Sequence, residues 1–82
     1  MKTKKLIVKS KTENLSVIRD FISSSAQEAG MKSDAVENII LAVDEACTNI
    51  IKHAYKSIPD GELIIKTKST LTRFVVSITD YG

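Results

Sequence analysis

The sequence is poor in the residues on which most enzyme motifs depend. It has no tryptophan, one cysteine, one histidine, one proline and three glycines. The single cysteine, Cys47, excludes an intramolecular disulfide, and one cysteine with one histidine argue against a zinc site. No glycine-rich Walker loop is present, so a P-loop phosphate site is excluded. A nucleophile elbow for a Ser-His-Asp triad is missing too.

Strong charge of one sign and long apolar runs are also absent. Twelve Lys and Arg oppose ten Asp and Glu, and a net charge of +2 is too small to argue for nucleic acid as a partner. The longest clean apolar run, 39–43, is far too short to span a membrane. The charged N-terminus lacks the apolar region of a signal peptide. We therefore expect a cytoplasmic protein with no membrane or nucleic-acid partner, in which Cys47 is a small core residue.

The first part of the chain predicts one strand and two helices. The segment KKLIVKS alternates like a strand. A helix follows, which Thr12 or Asn14 would cap and which runs to about residue 29, where Gly30 is placed to end it. A second helix opens at 33–34 and ends near 55–57, because Pro59 disfavours helix in the residue before it.

The last part of the chain changes from a helical period to an alternating one. ELIIKTK and RFVVSITD read as two strands joined at STLT, with Phe74, Val76 and Ile78 on one face of the second. One apolar sheet face against two helices is a two-layer sandwich. We therefore predict an α+β fold of order β-α-α-β-β with a mostly antiparallel sheet, and a single domain over residues 1–82.

A polar line interrupts the second helix. In the segment DEACTNIIKHAY, Glu45, Asn49 and His53 recur every four residues after Leu41, so they follow one line along the helix. The line is either a solvated face or the wall of a site, and asparagine is a poor residue for a helix interior, which favours a site. Asn49 could supply a neutral oxygen to Mg²⁺, and Glu45 could act as a general base.

These residues resemble a known family. EACTNIIKHAY resembles the N-box of the GHKL, or histidine-kinase-like, ATPases, which share the Bergerat fold. GELIIK and then VVSITDYG follow in the order of that family, and D-x-G at the end of a strand after an N-box is a specific combination. The wording is most similar to the bacterial anti-sigma-factor serine-protein kinases. The resemblance implies the N-terminal part of the Bergerat fold over nearly the whole chain.

The resemblance implies roles for three residues of the N-box. Glu45 would be the catalytic base that activates the acceptor serine. Asn49 would bind Mg²⁺ and, through it, the phosphates of ATP, and His53 would lie near the nucleotide. Phosphoryl transfer needs positioning and charge neutralisation more than covalent chemistry, which suits these residue types.

It also implies roles outside the N-box. Asp80 would hydrogen-bond the adenine amino group, and Gly82 would be the first glycine of a D-x-G-x-G box. Arg19 falls where these kinases carry an arginine used in partner contacts and phosphoryl transfer. The implied partners are a sigma factor and an anti-anti-sigma (STAS) protein, and a homodimer is expected.

The sequence departs from the family pattern at its C-terminal end. It stops at the first glycine of the box, without the ATP lid and the second glycine-rich box, so we expect an incomplete domain that is at most a weak ATP binder and kinase. A catalytically inactive interaction or dimerisation module of the same origin is the alternative. The ATP domain of a sensor histidine kinase fits less well, because no pair of phosphoacceptor helices precedes it. A small basic domain with a merely solvated polar line stays open as the third hypothesis.

Overall fold

The computed structural model describes all residues from Met1 to Gly82. The elements are β1 (Lys2–Lys9), α1 (Asn14–Glu28), α2 (Ser33–Asn49), a π-helical turn (Ile50–Ala54), β2 (Glu62–Ser69) and β3 (Phe74–Asp80). The predicted order β-α-α-β-β and the α+β class are confirmed. Neither helix combines the length and the apolar content that crossing a membrane requires.

The three strands form one antiparallel sheet in the order β1-β2-β3. Leu6 pairs with Ile65, and Ile65 pairs with Ile78, so these side chains share the face on which the helices pack. Ile65 is fully buried in the central strand, and burial of such a side chain stabilises a fold by about 1.5–3 kcal/mol. The main cluster of buried core residues is Ile18, Ile22, Val43, Cys47, Ile51, Leu63 and Ile65.

The start of α1 differs from the prediction. Neither Thr12 nor Asn14 caps the helix; the N-cap position is Glu13, which makes no side-chain cap hydrogen bond. The Thr12 hydroxyl donates to the Glu13 carboxylate, and the Asn14 amide donates to the carbonyl of Lys9 at 2.9 Å. Both side chains act as donors in these bonds, and neither accepts a hydrogen bond from a helical N–H, as an N-cap would.

The end of α1 agrees with the prediction. Gly30 has a φ of +77°, a conformation that costs glycine little because it has no Cβ. Its N–H donates to the carbonyl of Gln27, and the N–H of Met31 donates to that of Ala26. This pair of bonds is a Schellman motif, which satisfies carbonyls that the helix end would otherwise leave free.

The second helix ends where expected but in a different form. Its last turn, Ile50–Ala54, is π-helical, and the N–H of Tyr55 donates to the carbonyl of Ile50 at 3.0 Å. A π turn holds one more residue than an α turn, so each side chain rotates less about the axis. Tyr55 therefore turns towards the core, against which its ring packs. Lys56 and Ser57 then reverse the chain with φ of +50° and +62°.

Ion pairs connect the elements at two places. Lys4, on the helix-facing side of β1, contacts Glu28 of α1, and Lys2 lies 3.8 Å from the same carboxylate. The hydrogen bond from Lys4 and its charge lower the pKa of Glu28 below its usual value. Arg19 of α1 pairs with Asp44 of α2 at 2.6 Å. All of these side chains are partly solvated, so the pairs fix geometry more than they add stability.

Candidate functional site

The predicted polar line lies on the solvent side of the second helix. Glu45 and Asn49 occupy successive turns of α2, and His53 follows in the π turn; all three are exposed. Leu41, at the start of the line, is 68% exposed. The buried residues of this helix, such as Val43 and Cys47, face the opposite way.

None of the three polar side chains has a partner within the chain. Glu45, Asn49 and His53 make no side-chain hydrogen bond and no ion pair, whereas Asp44 beside them is held by Arg19. The line is therefore free to contact a ligand or solvent. The structure keeps these residues together on one face but does not close a pocket over them.

The end of β3 meets the end of the second helix. Asp80 pairs with Leu63 across the sheet, is half-buried and points to the helix-facing side. Its Oδ1 accepts a hydrogen bond from the N–H of Gly82 at 3.1 Å. A Cβ on Gly82 would stand 2.6 Å from the carbonyl oxygen of Ala54, so only glycine fits this contact without a shift. The D-x-G segment thus packs beside the π turn that carries His53.

Tyr55 holds this junction together, and sequence reasoning missed it. Its hydroxyl donates to the carbonyl of Glu62 at 2.6 Å and accepts from the N–H of Tyr81 at 2.8 Å. The N–H of Glu62 also approaches the same oxygen at 3.3 Å. The ring lies so close to Gly61 that a Cβ there would be 2.4 Å from a ring carbon. Tyr55 follows Val43, Cys47 and Ile51 at spacings of four residues, which puts its ring on the buried side of the helix but does not reveal the partners of its hydroxyl.

Arg19 lies at another part of the arrangement. Its guanidinium contacts Asp44 at 2.6 Å, next in sequence to Glu45. The structure therefore brings Arg19 to the middle of α2, whereas Asp80 and Gly82 lie at the end of the π turn. Arg19 therefore contacts α2 itself, whereas the D-x-G segment contacts the π turn that follows α2.

Cys47 takes no part in the polar line. The residue is fully buried in the core. Burial, followed by the charge of Asp44, raises the pKa of its thiol to about 11. The thiol stays protonated at neutral pH and lies in the core, so Cys47 is the small core residue that the sequence predicts and a poor nucleophile.

The donors present suit a magnesium ion that arrives with a nucleotide. The chain has no cluster of three or more His, Cys, Asp or Glu residues that could hold a metal. Asn49 offers one neutral oxygen, and Mg²⁺ commonly keeps its waters and substrate phosphates beside one or two protein ligands. Three surface clefts of about 230 to 290 Å³ exist, and none is lined by Glu45, Asn49, His53 or Asp80. The candidate site is therefore an exposed surface and not an enclosed pocket.

Comparison with known proteins identifies the family. The family model of the histidine kinase-like ATPase domain matches residues 8–82. Serine-protein kinase RsbW of Bacillus licheniformis is 35% identical over 72 residues, which are 88% of this chain and 45% of that protein. RsbW of Bacillus subtilis (strain 168) is 36% identical over 75 residues, 92% of this chain and 47% of that protein. RsbW of Listeria innocua is 36% identical over 72 residues, with 88% and 46% covered.

These matches confirm the resemblance seen in the N-box and the D-x-G segment, since the matched region contains both. The chain spans about half the length of the curated relatives that it matches. The three-stranded antiparallel sheet under two helices agrees with the N-terminal part of such a domain. The chain belongs to the histidine kinase-like ATPase domain family.

Proposed function

We propose that this chain functions as an anti-sigma serine-protein kinase. Residues 1–82 would form a cytoplasmic domain of it. It would bind ATP with Mg²⁺, phosphorylate a serine of an anti-anti-sigma (STAS) protein, and sequester a sigma factor as a homodimer. The observation that carries the proposal is the packing of Gly82 on Ala54. This contact joins the D-x-G end of β3 to the helix that bears Glu45, Asn49 and His53.

In this proposal the residues of the junction recognise the nucleotide. Asp80 accepts a hydrogen bond from the adenine amino group. One oxygen of its half-buried carboxylate accepts from the Gly82 N–H, and the other oxygen is free to accept from the nucleotide. His53 lies beside the nucleotide. Asn49 contributes its amide oxygen to Mg²⁺, which when bound neutralises phosphate charge.

The middle of α2 carries the transfer chemistry in the same proposal. Glu45 takes the proton from the acceptor serine hydroxyl as general base, and its exposure leaves that hydroxyl free to approach. Arg19 is held by Asp44, so its guanidinium stays close to the turn that carries Glu45. We assign Arg19 to contacts with the protein partner and to the phosphoryl group during transfer.

A second candidate rests on the openness of the site. The polar line is exposed and no cleft encloses it, which favours a catalytically inactive interaction and dimerisation module. The face of α1 that carries Val17, 43% exposed, would then contribute to partner contacts. The two candidates differ in whether nucleotide binds.

Calorimetric titration of the isolated chain with Mg·ATP separates them. We expect the chain to bind Mg·ATP. Asn49→Ala should lower the affinity about tenfold, which corresponds to the loss of one contact worth about 1.4 kcal/mol. Asn38→Ala is the matched control, since Asn38 is an exposed asparagine of the same helix. Absence of binding by a folded chain that sediments as a dimer would favour the interaction module instead.

A further inference from the structure

We propose that Tyr55 is a positioning residue for adenine recognition. The inference rests on the proposed function, because it concerns how the carboxylate of Asp80 is aimed. Tyr55 would contact neither nucleotide nor metal. It would act through the backbone directly after β3, where its hydroxyl binds the N–H of Tyr81.

The bond between Tyr55 and Tyr81 controls the peptide next to Asp80. The N–H of Tyr81 belongs to the same planar peptide unit as the carbonyl of Asp80, so a bond to that N–H sets the plane of the unit. The Tyr55 hydroxyl accepts it at 2.8 Å. Asp80 then completes the turn by accepting from the N–H of Gly82 at 3.1 Å. The direction of the Asp80 carboxylate thus depends on where the Tyr55 oxygen stands.

The Tyr55 oxygen is itself fixed from several sides. It donates to the carbonyl of Glu62 at 2.6 Å, at the first residue of β2. The ring is held against Gly61, where no other residue would leave it room. The π turn directs the side chain inwards, since the N–H of Tyr55 bonds to the carbonyl of Ile50. One hydroxyl therefore couples the helix end to the first residue of β2 and to the end of β3.

The chain offers a matched pair of variants. Tyr55→Phe keeps the ring in the core and removes only the oxygen. Tyr81→Phe removes a phenolic oxygen from the neighbouring tyrosine, which is 71% exposed and whose hydroxyl makes no hydrogen bond. A third variant, Asp80→Asn, reports on the carboxylate itself.

The test compares affinities for Mg·ADP and Mg·IDP by nuclear magnetic resonance titration of the isolated chain. Inosine carries a carbonyl where adenosine carries the amino group. The dissociation constant for Mg·IDP divided by that for Mg·ADP therefore measures recognition of the amino group. We expect Tyr55→Phe to reduce the ratio about fivefold, and Tyr81→Phe to leave it unchanged. Hydrogen exchange of the Tyr81 amide without nucleotide should accelerate at least about tenfold in Tyr55→Phe only.

The outcomes distinguish a failure of the role proposed for Tyr55 from a failure of the proposed nucleotide binding. If wild type discriminates, Asp80→Asn does not, and Tyr55→Phe discriminates fully, the inference is overturned and the proposed function stands. If the wild type binds neither nucleotide, or Asp80→Asn changes nothing, both are overturned. Should Tyr55→Phe fail to fold, the wild-type Tyr81 amide decides, since exchange as fast as in a free peptide contradicts the proposed bond.

Discussion

Gly82 and Ala54 touch across the junction of sheet and helix, at a distance that leaves no space for a Cβ on the glycine. A Cβ at this position would lie 2.6 Å from the Ala54 carbonyl oxygen and 2.8 Å from the carbonyl carbon. Both neighbours are backbone atoms, which cannot move aside as a flexible side chain can. The D-x-G segment and the N-box helix are thereby in direct contact through one residue of each.

Gly82→Ala should weaken nucleotide binding while the fold persists. The added methyl pushes the end of β3 from the helix, and Asp80 moves with it. We expect about a fivefold loss of Mg·ADP affinity, measured by calorimetry. Gly30→Ala is the control, because its positive φ makes alanine cost about 1 kcal/mol of stability at a position away from the site. Equal affinity losses in both variants would contradict the account.

Neighbouring isoleucines on β2 should differ sharply in their effect on stability. Ile65 is fully buried on the helix-facing side, and Ile64 lies on the other face of the sheet. Ile65→Ala should lower the free energy of unfolding by about 2–5 kcal/mol, as large-to-small core substitutions do. Ile64→Ala should cost less than about 1.5 kcal/mol, because it removes less buried surface. Urea denaturation measures both, and similar losses would show that the strand register is wrong.

The pairing of Glu28 with Lys4 should make stability depend on acid pH. The pKa of Glu28 is lowered in the folded chain by Lys4, so the pair stabilises above the pKa of the unfolded chain. That contribution is lost as the pH falls through the depressed pKa, below 4.5. The difference in unfolding free energy between wild type and Glu28→Gln should therefore shrink as the pH drops. A difference that stays constant with pH would contradict this pairing.

The buried thiol of Cys47 should not react with thiol reagents until the chain unfolds. Burial raises the pKa of Cys47 to about 11, so the reactive thiolate is scarce at pH 8. A disulfide reagent such as DTNB should label the native chain only at the rate of opening, and the unfolded chain at once. The protonated thiol also favours the fold at pH below the usual 9.0, an advantage lost as the pH rises towards 11. Rapid labelling of the native chain would place Cys47 outside the core.

Much of the fold could be read from the sequence because its signals are local. The change from a helical to an alternating period separates α2 from the strands, and Gly30 marks the end of α1. The predicted caps were wrong, since the Asn14 amide donates to the carbonyl of Lys9 and its side chain accepts no helical N–H. Thr12 similarly donates to the adjacent Glu13.

The candidate site could be predicted only in part. The spacing of Glu45, Asn49 and His53 put them on one line, and the structure keeps them on one exposed face. The role of Tyr55 depends on contacts with residues up to 26 positions away, which no periodicity encodes.

The most direct test of the account is a titration of the isotopically labelled chain with Mg·ADP, followed through its amide resonances. We predict that Asn49, His53 and the residues 80–82 shift together with one dissociation constant, because the junction forms one wall of the adenine site. The cleft between α1 and α2, lined by Gln27 and Val36, should stay unperturbed. Shifts confined to that cleft, or none at millimolar nucleotide, would contradict the account.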